Sequence, residues 1–323
     1  MTTELQLPEP LHVRLDGADI ATYVWGPPEG RECLGDVVFC HGTPWSALVW
    51  SGLATHLGST YRVHLWDLPG YGRSIQDPSV PVDLESQMSR FARLLRHWGL
   101  DRPHVLAHDI GGAVALGAHL SHGSEFASLC LWDIVTLDPW GSPFFRLVAD
   151  HAEVFEELPP ALHAALVKEY IAGAAHAPLS AGTLDALSRP WLGTRGQRAF
   201  YRQIASLRPE HTRPVADRLS EVRCAVHLGW GERDPWIPVE QAARLKESLP
   251  GTVTLLTLPD VGHLVPVEAP SLVTRAVSAW LGLGVPADAL GRSLRSPECL
   301  ETSDGRSGPM TGCPPINHRL RRC

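Results

Sequence analysis

Residues 104–116 run from an apolar, strand-like stretch into a single polar residue, Asp109, and then straight into a helical pattern. Small residues flank the aspartate at Ala107, Gly111 and Gly112. A sharp strand-to-helix turn needs such flanks, because larger side chains there would collide. A residue on that turn projects above the sheet edge beside a helix N-terminus, whose partial positive charge favours an anion. No Ser or Cys lies between His104 and Gly112, so the nucleophile on offer is a carboxylate. A carboxylate serves acyl transfer poorly. It can displace a leaving group from saturated carbon, forming an alkyl ester that water must then cleave. The plainer reading is an acidic N-cap on a glycine-rich turn, and three further motifs weigh against it.

The first is His41-Gly42-Thr43-Pro44-Trp45, which follows a strand-like run. There the backbone N–H groups of Thr43 and Ile110 could receive the charge that develops on an ester carbonyl. The Thr43–Pro44 bond is a candidate cis peptide. The second is Gly229-Trp230-Gly231-Glu232-Arg233-Asp234, whose terminal carboxylate follows another strand and could orient a histidine. Its rival is Asp133, in Leu131-Trp132-Asp133-Ile134. The third is Pro259-Asp260-Val261-Gly262-His263, which offers His263 as the base that activates the hydrolytic water.

These residues need a scaffold that collects strand ends on one edge. Short apolar, β-branched runs at 11–15, 20–25, 36–41, 61–66, 104–107, 128–132, 225–229 and 252–258 read as strands. Helical patterns at 47–57, 84–98, 112–120, 239–248 and 271–281 alternate with them. That alternation predicts an α/β fold: a mostly parallel eight-stranded sheet flanked by helices, with the first two strands as an antiparallel hairpin at one edge. Residues 138–219 hold no convincing strand, only Pro-punctuated helical segments at 150–158, 160–172 and 196–207. They read as a helical cap inserted after strand six, so the core comprises 1–137 and 220–284. From about 285 to 323 apolar periodicity ends, which predicts a disordered tail whose removal leaves activity intact.

Bulk composition narrows the function. A net charge of −7 with scattered basic residues argues against nucleic acid as a partner. No apolar run reaches the ~18 residues of a membrane helix, and residues 1–10 lack a secretory pattern. Seven cysteines without regular spacing do not form a disulfide framework, and Cys33, Cys40, Cys130 and Cys224 are expected to be buried thiols. The expected compartment is cytoplasmic. No metal or cofactor is expected, since neither a spaced His/Cys cluster nor a nucleotide fingerprint is present. Nothing here fixes the oligomeric state.

Together, His41–Pro44, residues 61–74, 104–116, 229–238 and 260–266 resemble the aspartate-nucleophile branch of the α/β-hydrolase superfamily: epoxide hydrolases, haloalkane dehalogenases and haloacetate dehalogenases. The order nucleophile, acid, histidine matches as well. The resemblance implies a triad of Asp109, Asp234 and His263, with Asp133 as the alternative acid, and attack on a small, largely apolar electrophile. It leaves the leaving group open. Ile110 stands where haloalkane dehalogenases and most epoxide hydrolases have Trp. Thr43 stands where many haloalkane dehalogenases have Asn, and no Arg follows Asp109 as in haloacetate dehalogenases. Residues 199–203 resemble the segment that carries a ring-opening tyrosine in epoxide hydrolases. That makes Tyr201 the expected cap proton donor or leaving-group ligand, with Tyr170 as the second choice, although its spacing from Leu162 and Leu166 also suits packing. His41, Trp45, His108, Trp140, Trp191 and Trp236 complete the expected pocket. Epoxide hydrolysis is the leading expectation, dehalogenation the alternative, and a non-catalytic ligand-binding protein the reading from a different class.

Overall fold

The computed structural model describes residues 5–75 and 78–283. The expected C-terminal tail, with Cys299, Cys313 and Cys323, lies outside the described residues. Eight strands form one sheet: β1 Leu11–Leu15, β2 Ala18–Trp25, β3 Asp36–Cys40, β4 Arg62–Trp66, β5 His104–His108, β6 Ser128–Trp132, β7 Ala225–Gly231 and β8 Val253–Leu258. Their order across the sheet is β1-β2-β4-β3-β5-β6-β7-β8. The β1–β2 and β2–β4 pairs are antiparallel and the rest are parallel, so the edge hairpin expected from the sequence is present. Strands β5 and β6 are almost wholly buried, as a strand covered on both faces must be.

Core helices α1 Ser51–Leu57, α2 Leu84–His97 and α3 Ile110–His122 follow β3, β4 and β5. Helix α2 begins where the Asp83 carboxylate accepts the Ser86 N–H, and its buried stripe of Leu84, Met88, Phe91 and Leu95 recurs at helical spacing. Helix α3 differs: it is buried almost all round, and its glycines allow close approach. A Cβ on Gly111 would come within 2.6 Å of the carbonyl oxygens of Cys40 and His41, so only glycine lets α3 start beside the β3 loop.

Between β6 and β7 the described chain is helical: α4 Pro143–Asp150, α5 Ala152–Glu156, α6 Pro160–Ala172, α7 Ala181–Ser188, α8 Gly193–Ser206 and the short α9 Arg213–Ala216. The helix expected at 150–158 is in fact two, divided at His151. The first starts earlier because the Ser142 hydroxyl caps it and Pro143 sits at its first turn, where no N–H is needed. Helix α7, which the sequence reading missed, is also serine-capped, by Ser180. Beyond β7 come α10 Glu240–Ser248, α11 Val265–Glu268 and α12 Pro270–Trp280. Two of the four expected buried thiols are corrected. Cys40 and Cys130 are buried, but Cys33 is exposed in the turn before β3 and Cys224 is half-buried at the start of β7. Among the described residues no helix is long and apolar enough to cross a membrane.

Candidate active site

Asp109 occupies the turn between β5 and α3 with φ 53° and ψ −127°. That backbone is unfavourable for a non-glycine residue and costs about 1–3 kcal/mol, which the surrounding packing must hold. Gly42 makes room for it: a Cβ there would lie 2.3 Å from the Asp109 Cβ. The aspartate is 3 % exposed, and its Oδ1 accepts the Thr43 N–H at 2.7 Å. Ile110 opens α3, so its N–H has no acceptor within the helix and belongs to the same positive end. The Thr43–Pro44 bond is cis, as anticipated.

His263 comes from the loop after β8 and is fully buried. Its Nε2 lies 3.3 Å from Asp109 Oδ2 and its Nδ1 lies 2.8 Å from Asp234 Oδ2, so the ring links the two carboxylates. The other oxygen of Asp234 accepts the N–H groups of Trp236 and Ile237 at 2.7 and 2.9 Å, which fixes the carboxylate plane. Burial alone would lower the His263 pKa. The charges of Asp234 and Asp109 outweigh it and raise the pKa well above that of an ordinary histidine. Asp133 is not the partner of His263 Nδ1. Its Oδ1 accepts the Gly231 N–H at 2.8 Å instead.

A chamber of about 30 Å³ opens on Asp109, lined by Thr43, Ile110, Val135, Phe145, Trp140, Tyr170 and Trp236 among others. That is roughly room for one or two waters. Tyr170, on α6, thus reaches the site. It stacks on Trp236 with ring centroids 4.7 Å apart, and Trp236 stacks in turn on Trp45 at 5.9 Å. No hydrogen bond from the Tyr170 hydroxyl to another described residue is formed. Burial, then the nearby Asp109 charge, raises its pKa, so it stays protonated.

Several expected pocket residues sit elsewhere. Tyr201 is fully buried inside the helical layer, where its hydroxyl meets His163 Nδ1 at 2.8 Å, and burial pushes its pKa up to about 12. It does not line the chamber, because its face of α8 turns toward α6. His41 is locked behind the Gly42–Thr43 turn: Nδ1–H donates to the Gly42 carbonyl, and Nε2 accepts the Leu68 N–H at 2.9 Å. His108 lies beneath the site, donating from Nε2 to the His263 carbonyl at 2.8 Å. Burial takes both rings to a pKa of about 4, so both are neutral struts. The Trp191 indole donates to the Pro44 carbonyl at 2.8 Å, whereas Trp140 does line the chamber, its indole donating to the Thr212 hydroxyl at 3.0 Å. Trp45 supports Trp236 from behind, outside the chamber lining.

Gln203 and Tyr71 escaped sequence reading. Gln203 of α8 accepts both the Thr43 and the Tyr71 hydroxyls at 2.7 Å, tying the helical layer to the turn after β3. No local word signals this, since Thr43 and Gln203 are 160 residues apart. The arrangement offers a buried carboxylate for attack on carbon, a histidine braced for proton transfer, two N–H groups at an oxyanion position and one phenol across the chamber.

Comparison with known proteins agrees with this architecture. The sequence profile described as the alpha/beta hydrolase family matches residues 37–276. An alpha/beta hydrolase fold protein from Burkholderia ambifaria is 39% identical in sequence, with a TM-score of 0.78 covering 86% of this chain and 99% of that one. A putative carbamate hydrolase, RutD, from Caulobacter sp. (strain K31) is 26% identical over 270 residues, 79% of this chain and 92% of that protein. The haloalkane dehalogenase DbeA from Bradyrhizobium elkani USDA94 shares the fold at 18% identity, with a TM-score of 0.70 over 84% of this chain and 97% of that one. The chain belongs to the alpha/beta hydrolase family and is an α/β-fold hydrolase.

Proposed function

We propose that the enzyme hydrolyses a small, largely apolar epoxide to a diol through an alkyl ester on Asp109. The observation that carries this reading is the place of Tyr170 in the lining of the same chamber as Asp109, with no hydrogen bond from its hydroxyl to another described residue. Asp109 attacks a ring carbon, the carbon–oxygen bond breaks, and the departing oxygen takes the phenol proton. With the Asp109 charge gone, the His263 imidazolium gives its proton to the Tyr170 phenolate, and the neutral ring then removes a proton from water as the water oxygen adds to the ester carbonyl. The oxyanion rests on the Thr43 and Ile110 N–H groups. Collapse releases the second hydroxyl of the diol, protonated by His263, and the acid proton left on Asp109 returns to His263, restoring the imidazolium. The small, mostly apolar lining suits a compact substrate.

A second reading, dehalogenation, draws on Trp236, whose indole ring also lines the chamber and could solvate a halide. The His263→Gln variant separates the two. Incubated with a mixed set of epoxides and organohalides, it should stall at the ester, and its intact mass should rise by the whole mass of an epoxide. An adduct lighter by the hydrogen halide would assign a dehalogenase. No adduct at all, with an inactive wild type, would remove covalent catalysis by Asp109 and leave a binding role.

A further inference from the structure

Behind the His263–Asp234 pair stands a second carboxyl group. Asp133 follows β6 with φ 46°, a left-handed backbone that aims its side chain under the β7 loop. It is fully buried. Its Oδ1 accepts the Gly231 N–H, but its Oδ2, equally buried, receives no hydrogen bond. Oxygen or nitrogen atoms of Asp133, Asp234 and His263, one from each, all lie within 4.8 Å of one another. An ionised carboxylate with one bare oxygen, sealed from water beside another carboxylate, is the costliest state this geometry could hold. Asp234 already has its charge satisfied by His263 and by two backbone N–H groups.

We propose that Asp133 carries a proton that it donates to the Asp234 carboxylate, making it a positioning residue for the His263–Asp234 pair. In that form each group has one role. The bare oxygen becomes a hydroxyl donor, Asp234 gains a further donor on its ionised form, and the pair holds one negative charge to match one imidazolium. Burial first, and then the Asp234 charge, act on Asp133 in the same direction, raising its pKa. The titratable groups that bear on it are Asp234 from the β7 loop and His263 from the β8 loop, with Asp109 and His108 on the far side of His263. The inference rests on the His263–Asp234 pairing and not on the identity of the leaving group, and its readout needs no substrate.

The test is a histidine NMR titration of wild type, Asp133→Asn and Asp133→Val, with the His263 resonance assigned through His263→Gln. Asparagine keeps the shape, keeps an oxygen for Gly231 and keeps a donor for Asp234. A proton-bearing Asp133 therefore predicts an unmoved His263 midpoint in Asp133→Asn. Asp133→Val removes the donor, makes Asp234 more basic and moves the midpoint up. If Asp133 were ionised, both variants would remove a negative charge at about 5 Å, and the midpoint would fall by on the order of two pH units. No movement in either variant would show that Asp133 does not touch the pair. Either of these results overturns the proposal. Infrared spectra give a reading that does not depend on how the variants fold: a wild-type spectrum with no protonated-carboxyl band above neutral pH refutes it directly.

Discussion

His263 sits between two carboxylates, and only one of them changes during the proposed reaction. In the resting enzyme Asp109 and Asp234 both favour the imidazolium, against the penalty of full burial. Once Asp109 becomes an ester its charge is gone, and one of the two forces that keep the proton on His263 disappears. Ester formation would therefore create the neutral base that the next step needs. Asp109→Asn imitates the ester's neutrality, so the His263 midpoint should fall in that variant by about one pH unit or more, measured by the same histidine titration. An unchanged midpoint would mean that Asp109 does not control the base. The meeting of Asp109, Asp234 and His263 was legible because each sits in a local word whose flanking small residues are sterically required. The tyrosines were not. Tyr201 and Tyr170 lie on α8 and α6, and which one reaches Asp109 depends on how these helices rotate against each other, which depends on contacts distant in sequence. The structure reverses the expected order: Tyr170 lines the chamber, while Tyr201 meets His163.

Two loops set the size of what can reach Asp109. The chamber of about 30 Å³ and a wider groove of about 400 Å³ share Trp140, Gly141, Ser142 and Trp236, contributed by the segment before α4 and the loop after β7. Trp236 is the stacked part of that common wall. It is half-buried, held by stacking on Trp45 and Tyr170, whereas the Trp140 indole is tied to Thr212. Trp236→Ala should join the two spaces and shift preference toward bulkier substrates, by roughly tenfold in relative kcat/KM. It should also lower kcat for small ones, because the ring packs on His263 with centroids 4.9 Å apart. A series of homologous substrates measured on both enzymes checks this, and an unchanged size preference would place the entrance elsewhere. Strand positions were readable from the alternation of apolar and turn residues, with errors of two residues or fewer at either end. The helical layer was less readable, because its short helices take their boundaries from single capping residues such as Ser142 and Ser180 rather than from periodicity.

At the scale of the molecule, the helical layer and the sheet meet at a clasp on the histidine loop. The His263 N–H donates to the Ala174 carbonyl at 2.8 Å, directly after α6. One carboxylate oxygen of Glu268, on α11, accepts N–H groups from His176 and Ala177 in the helical layer and from Gly262 in the loop after β8. Gly262 permits the approach: a Cβ there would lie 2.4 Å from the His176 nitrogen. The helical layer therefore does more than roof the chamber, because it holds the loop that carries the base. Charge-assisted bonds are each worth about 1–3 kcal/mol, and less where water reaches them, as at the exposed His176 and Ala177. Glu268→Ala should cost about 1–2 kcal/mol in all, which corresponds to roughly 2–8 °C in Tm for a domain of this size. Activity should fall more steeply than stability, since the loss falls on the placement of His263. Amide exchange of Gly262, His263, His176 and Ala177 should accelerate together. Glu268→Gln keeps an acceptor oxygen without the charge and should lie between the variant and the wild type. If His176 and Ala177 exchange faster while Gly262 and His263 do not, the two halves of the clasp are independent, and the helical layer does not position the base.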